Sequence, residues 1–177
     1  MGRTVRDAAL LLSAMISDDP RDPFGSGINT ELVTPLQPAD LAHYRIAISE
    51  DLGTAPLDDD IRQCFRRKVK GIQHIFFSAQ HRDPPFDDDL HRAFEVLRCI
   101  NYLSAHAEKL AKHRDLLTPN VVANIDMASQ FTMADVAWAH QKQTALYGGY
   151  IDMFKEIELL LSPAAAVSPF PHAQWYP

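Results

Sequence analysis

The first apolar stretch of the chain, residues 5–16, carries hydrophobic side chains every three to four positions, which predicts an amphipathic helix. Thr4 followed by Asp7 matches a capping box, in which a hydroxyl and a carboxylate each bind a free amide of the first turn. Leucines widen the apolar face beyond one stripe, so we expect this helix to need cover on most of its sides. Prolines, glycines and aspartates in residues 17–40 predict a loop.

Residues 43–78 alternate between strand-like and helix-like patterns. The segment HYRIAIS, residues 43–49, is short and contains β-branched residues, which predicts a strand. The segment LDDDIRQCFRRKVKG, residues 57–71, has apolar side chains at helical spacing, and Gly71 is a natural stop for that helix. The segment IQHIFFS, residues 72–78, is again typical of a strand. This order predicts a βαβ unit with two parallel strands in a covered sheet.

Two helices are predicted in the middle of the chain. Apolar residues from Leu90 to Ala111 keep the helical period over roughly seven turns. Thr118 followed by Pro119 is typical of a helix start, because proline is tolerated at the first helical position. These signals predict a long helix followed by a short one.

The last part of the chain predicts a helix, a strand and a coil. Thr132 with Asp135 repeats the capping-box pattern and opens a long helix. The pair Gly148-Gly149 interrupts that helix at a cost of about 1 kcal/mol per glycine relative to alanine, which predicts close packing of a neighbour or a kink. Residues 158–162 predict a strand, and residues 163–177 a proline-punctuated coil. The fold class is therefore α/β and helix-rich, with a few strands of a mixed sheet flanked by helices.

Composition narrows the function classes. The 177 residues, with 46% hydrophobic and 23% charged side chains, are typical of a globular protein with one ordinary domain. A formal net charge of -6 disfavours nucleic acids and anionic membranes as partners. Cys64 and Cys99 do not make a disulfide framework, so we expect the reducing cytoplasm. No apolar stretch approaches the ~18 residues of a membrane span.

Candidate metal ligands are scattered rather than clustered in the sequence. His106 and His113 could share one helix face, but the usual helical metal-binding spacings are missing. The segment FDDDLH, residues 86–91, could bind a divalent cation, but acidic residues at a helix start are also favoured by the helix dipole, and we interpret it as a capped helix. We therefore predict no metal site.

No catalytic constellation or phosphate-binding loop is recognisable from the residues alone. Ser26 lies between two glycines, but in a proline-rich loop rather than at the strand-to-helix turn that a nucleophile elbow requires. The glycines form no dinucleotide or P-loop motif. We predict no cofactor.

The opening block resembles the amidase signature family of amide hydrolases. That family carries a segment of the form G-P-(apolar)-x-R-(T/S)-V-x-D-A-A, then an apolar run and a D-P-R-D-P turn. Residues 44–65 and 132–171 are similar to later parts of the family in the same order, with Glu158 where the family often has aspartate. The matching residues of the opening block are Met1, Arg3, Thr4, Val5, Asp7, Ala8, Ala9, Asp19, Pro20, Arg21, Asp22 and Pro23.

The resemblance implies hydrolysis of carbon–nitrogen amide bonds by acyl transfer, with a lysine and two serines as catalytic residues. It also implies that those residues precede the segment with which this chain begins. We therefore expect residues 1–177 to be a single partial domain, the C-terminal part of an amidase-like domain, with no catalytic residue. The expected partner is a small-molecule amide once the N-terminal part is present. The alternative is a non-catalytic truncated product or interaction module.

If the chain is part of an amidase, as the resemblance implies, we expect the C-terminal coil to lie at the acyl-binding cleft. Phe170 and Trp175 are the expected substrate-binding residues, although Phe170 could instead pack in an ordinary core. A partial domain would also leave apolar helix faces and strand edges uncovered, so we expect the isolated chain to be poorly stable or prone to aggregate.

Overall fold

The computed structural model describes residues 2–16, 21, 31 and 33–174, which fall into two compact units, Met1–Asp40 and Leu41–Pro177. Most of the predicted loop over residues 17–40 lies outside the described residues. The assignment of residues 1–177 to one partial domain stays a prediction.

The first unit contains helix α1, Val5–Met15. The predicted capping box is confirmed: the Asp7 amide donates to Thr4 Oγ1 and the Thr4 amide to Asp7 Oδ2, both at 3.1 Å. No residue of α1 is buried, and Val5 is 75% exposed. The apolar face that we expected to need cover is therefore exposed.

The second unit carries the remaining helices and strands, and its class is helix-rich α/β, as predicted. Short 3-10 turns occupy Leu41–His43, Gln73–Ile75 and Arg114–Leu116. The strands and α-helices are, in chain order, β1 Arg45–Ile48, α2 Asp59–Ile72, β2 Ser78–His81, α3 Leu90–His113, α4 Pro119–Ala128, α5 Met133–Met153 and β3 Leu159–Leu161.

The sheet has the strand order β2-β1-β3, and both pairs are parallel. The predicted parallel pairing of β1 with β2 is confirmed, and β3 also pairs with β1 in parallel, so the described part of the expected mixed sheet consists of parallel strands. Helices connect each strand to the next, α2 after β1 and α3 to α5 after β2, so the chain returns to the sheet in the same direction each time. Strand β1 is the central strand.

Side chains of β1 alternate between two layers of core. Ile46 and Ile48 pack with Val69 of α2 on one face. Ala47 packs on the other face with Met153, at the end of α5, and with Ile157. Strand β1 is thus covered on both faces, as parallel strands require, whereas all four residues of β2 are exposed.

The second predicted strand is displaced in the structure. We predicted it over residues 72–78, but α2 continues through Gly71 to Ile72 and a 3-10 turn covers Gln73–Ile75. Pairing begins only where the Phe77 amide donates to the Tyr44 carbonyl at 3.0 Å. The apolar run has the composition of a strand, but the position at which β2 begins is set by its pairing with β1. That pairing cannot be inferred from the run itself.

The long helix α5 opens with the predicted capping box, Thr132 with Asp135, and ends at Met153. Gly149 faces a close neighbour: a Cβ there would lie 2.7 Å from Cγ of Pro85 and 2.9 Å from its Cβ. A Cβ on Gly148 would meet nothing within 4 Å. Of the two explanations left open by the sequence, close packing is confirmed at Gly149.

The glycine pair gives a matched test of this packing. We expect Gly148→Ala to raise the free energy of unfolding by about 0.5–1 kcal/mol, because alanine is the better helix former and finds open space. Gly149→Ala should lower it by roughly 1–3 kcal/mol, because the rigid Pro85 ring must shift. Urea denaturation followed by circular dichroism measures both. Equal shifts in the same direction would contradict the packing.

Candidate functional site

The carboxyl ends of the three parallel strands meet at one edge of the sheet. The residues that follow β1 and β2 there are polar: Ser49 and Glu50 after β1, and Arg82 and Asp83 after β2. In open α/β sheets, ligands bind outside this edge. A ligand site is therefore expected at this edge of the sheet.

Ser49 connects the carboxyl ends of the three strands by hydrogen bonds. Its side chain is buried, with 1% of the residue exposed, and its Oγ donates to Asp83 Oδ1 at 2.6 Å. Its amide donates to the Leu161 carbonyl of β3 at 3.0 Å. The turn that follows has positive φ at Leu52 and Gly53, and a Cβ on Gly53 would already lie 3.3 Å from Asp83 Cβ. The turn therefore fits tightly against the β2 loop.

Glu50 binds two arginines of helix α2. Arg66 Nε donates to it at 2.6 Å and Arg62 Nη1 at 2.9 Å, while Arg62 also reaches Asp51 at 3.1 Å. The hydrogen bonds from Arg66, then those from Arg62, lower the pKa of Glu50 from 4.5 to about 2, although burial acts to raise it. Glu50 stays ionised at neutral pH and fixes the loop after β1 to α2.

A concave surface lies against this network. A cavity of about 400 Å³ is lined by Glu50 and Arg66 together with Lys70 and His81. A second cavity of about 330 Å³ shares Glu50 and His81 and extends to Asp83. Of the charged groups that line these cavities, Glu50 and Arg66 are already paired with each other.

The hydrogen bonds at this edge do not activate a serine as a nucleophile. Across residues 33–174, no histidine or lysine is hydrogen-bonded to Ser49, whose hydroxyl donates to a carboxylate. None of the hydrogen bonds found among the described residues joins a serine to a lysine. The pairing that would activate a serine is not present in the described part of the chain.

The acidic segment at residues 86–91 has a role that sequence reasoning missed. We predicted a capped helix, but Asp89 precedes α3 without a side-chain capping bond. Instead, Lys142 of α5 lies 3.0 Å from Asp87 and 2.7 Å from Asp89, and it lowers the pKa of Asp87. The carboxylates therefore connect α3 to α5. Such a pairing has no local sequence signal because the partners are far apart in the chain.

The predicted substrate-binding residues lie in the C-terminal coil. Phe170 is 41% exposed, so it is not a core residue. The coil is fixed to the start of α2, where the Asp58 amide donates to the Ala166 carbonyl at 2.9 Å. Trp175 lies outside the described residues. Their role in substrate binding stays a prediction.

Among the described residues, no group of three or more histidines, cysteines, aspartates or glutamates could hold a metal ion. In the same part of the chain, no helix is both long enough and apolar enough to cross a membrane.

Comparison with known proteins identifies relatives by family and by fold. The family model described as Amidase matches residues 1–177, which confirms the resemblance. A solved structure of a bacterial aryl acylamidase of the amidase signature enzymes family matches with a TM-score of 0.74 at 18% identity. The match covers 95% of this chain and 36% of that chain, so this chain spans about a third of that protein's length. No curated protein matches the sequence.

The pH dependence of the free energy of unfolding tests the hydrogen bonds between Glu50 and the two arginines of α2. Because its folded pKa is lowered, its contribution to stability is complete above about pH 4.5 and is lost as the pH falls towards 2. We expect Glu50→Gln to lower the free energy of unfolding at pH 7 by about 1–2 kcal/mol, and the gap to the wild type to shrink on acidification. Denaturant titrations from pH 7 down to pH 3 measure this gap.

Glu108→Gln is the matched control. Glu108 is 80% exposed in its side chain and pairs with Lys112 on the surface of α3, where removal should change stability by no more than about 0.5 kcal/mol. An equal effect of both variants, or a Glu50 gap that does not vary with pH, would contradict the network.

Proposed function

This chain belongs to the amidase family, and on that premise we propose that it forms part of an amidase-type hydrolase acting on carbon–nitrogen amide bonds. The observation that carries the proposal is the family match over residues 1–177, and the amidase-signature fold at a TM-score of 0.74 agrees with it. The chain supplies scaffold and part of the substrate pocket, and a small-molecule amide is the partner of the complete enzyme.

The hydrogen bonding of the described residues supports a role without catalytic residues in this part of the enzyme. Acyl transfer needs a nucleophile next to a general base, within reach of the substrate carbonyl. Ser49 is 1% exposed and donates to Asp83, so a substrate carbonyl has no path to its oxygen. Lys142 is held by two carboxylates rather than by a serine. The nucleophile and base of the proposed reaction belong to another part of the enzyme.

The C-terminal coil is the proposed wall of the substrate pocket. Its attachment to the start of α2 by Asp58 fixes its backbone, and the Ser168 amide lies 3.4 Å from Asp58 Oδ2. The exposed ring of Phe170 is free to contact an aromatic or acyl group. Trp175 is proposed beside it on the family resemblance alone.

A non-catalytic interaction module is the second candidate. The exposed apolar side chains on one face of α1, among them Val5, Leu12 and Met15, support it, because exposed apolar surface on one face is typical of a binding face. The cellular location that we propose for either function is the reducing cytoplasm, since Cys64 and Cys99 are both free thiols.

An aryl amide assay tests the first candidate. The purified chain should release no 4-nitroaniline from 4-nitroacetanilide. The DNA upstream of Met1 should then encode a glycine- and serine-rich segment with a lysine and two serines. Co-expressed with that segment, the chain should hydrolyse the anilide, and Phe170→Ala should lower kcat/KM by about tenfold, the usual effect of losing a well-packed aromatic contact.

Phe77→Ala is the control for Phe170, because Phe77 is also an exposed phenylalanine, at 71%, in a different part of the unit. It should leave kcat/KM close to that of the unsubstituted pair. Serine-dependent turnover by the chain alone would contradict the absence of catalytic residues. Absence of the upstream segment would favour the interaction module.

A further inference from the structure

Helix α3, with one residue of α5, lines a cavity of about 470 Å³ that is open to solvent and that the proposed function does not use. Its walls are mainly apolar and aromatic, with Phe94, Leu97 and Tyr102 from α3, and Gln143 contributes from α5. A cavity of this size and lining is typical of small-molecule sites. We call it the α3–α5 cavity.

Among the described residues, Arg98 in the wall of the cavity lacks an acidic partner of the kind that Arg92 has on the same helix. Arg92 and Arg98 both lie on α3, and each places its guanidinium over an aromatic ring, at 5.7 Å from Trp138 and 5.3 Å from Phe94 respectively. Arg92 also pairs with Asp135 at 3.2 Å. For Arg98, Nε is shielded from solvent and has no hydrogen-bond acceptor among the described residues. A shielded donor without an acceptor is energetically costly.

A second polar atom of the wall is in the same situation. His106 lies two turns after Arg98 on α3, and its ring packs 5.8 Å from that of Tyr102. Its Nδ1 is buried and has no hydrogen-bond partner among the described residues. Among the described residues that line the cavity, there is no aspartate or glutamate. The wall therefore combines an unpaired positive charge with aromatic surface, which is complementary to an anion that carries a ring.

We propose that the α3–α5 cavity binds a small aromatic carboxylate. The ring of the ligand packs against Phe94 and Tyr102, and its carboxylate accepts hydrogen bonds from the Arg98 guanidinium after a change of side-chain rotamer. When His106 carries its proton on Nδ1, it adds a second donor. This site does not depend on the chain acting in amide hydrolysis, so either proposal can fail without the other.

Titration with sodium benzoate tests the site on the intact chain. Amide chemical shifts of α3 residues in ¹H–¹⁵N spectra should change in a saturable way. Benzamide has the same ring but no charge, and it should bind about tenfold more weakly, since it loses the charge-assisted hydrogen bonds. Cyclohexanecarboxylate has the charge without the aromatic ring and should also bind more weakly than benzoate.

Arg98→Gln should weaken benzoate binding by about tenfold. Arg92→Gln makes the same charge change on the same helix and should leave the affinity unchanged. Circular dichroism checks that both variants are folded, and the comparison of benzoate with benzamide on the unsubstituted chain decides the role of charge if Arg98→Gln is not folded. Equal affinities for benzoate and benzamide, or equal effects of the two arginine variants, would overturn the proposal.

Discussion

The burial of strand β1 between two parallel neighbours and two layers of side chains is the constraint on which the second unit depends. Ile46 and Ala47 are fully buried, on opposite faces of the sheet, and pack with α2 and with the end of α5. A shift of one residue in β1 would exchange the two faces and place each side chain in the wrong layer. The register with β2 and β3 is therefore fixed by packing as well as by hydrogen bonds.

The same constraint explains where the polar groups of the unit gather. Because the strands are parallel, the residues after β1 and β2 reach the same edge, and there Ser49 donates to Asp83 while Glu50 binds Arg62 and Arg66. These bonds hold loops and helix α2 in place and leave no activated nucleophile among them. They support the proposal that this chain, a member of the amidase family, supplies scaffold rather than catalytic residues.

Local sequence signals predicted most of the helices and strands, whereas contacts between residues far apart in the chain could not be predicted. Thr132 with Asp135 predicted the start of α5, and Gly148-Gly149 predicted close packing or a kink, of which the structure shows Pro85 packed against Gly149. The start of β2 was misplaced because its position depends on the partner strand rather than on the apolar run before it. Glu50 and Arg66 could not be paired from sequence, since sixteen positions and a turn separate them. The unpaired state of Arg98 is visible only when its surroundings are known.

Hydrogen exchange at individual amides is the most direct test of the central role of β1. The amides of Ile46, Ala47 and Ile48 should exchange among the slowest in the chain, because they lie in the buried central strand. The amides of α1, which has no buried residue, should exchange much faster. Protection of α1 equal to that of β1, or β1 amides that exchange as quickly as those of α1, would contradict the account.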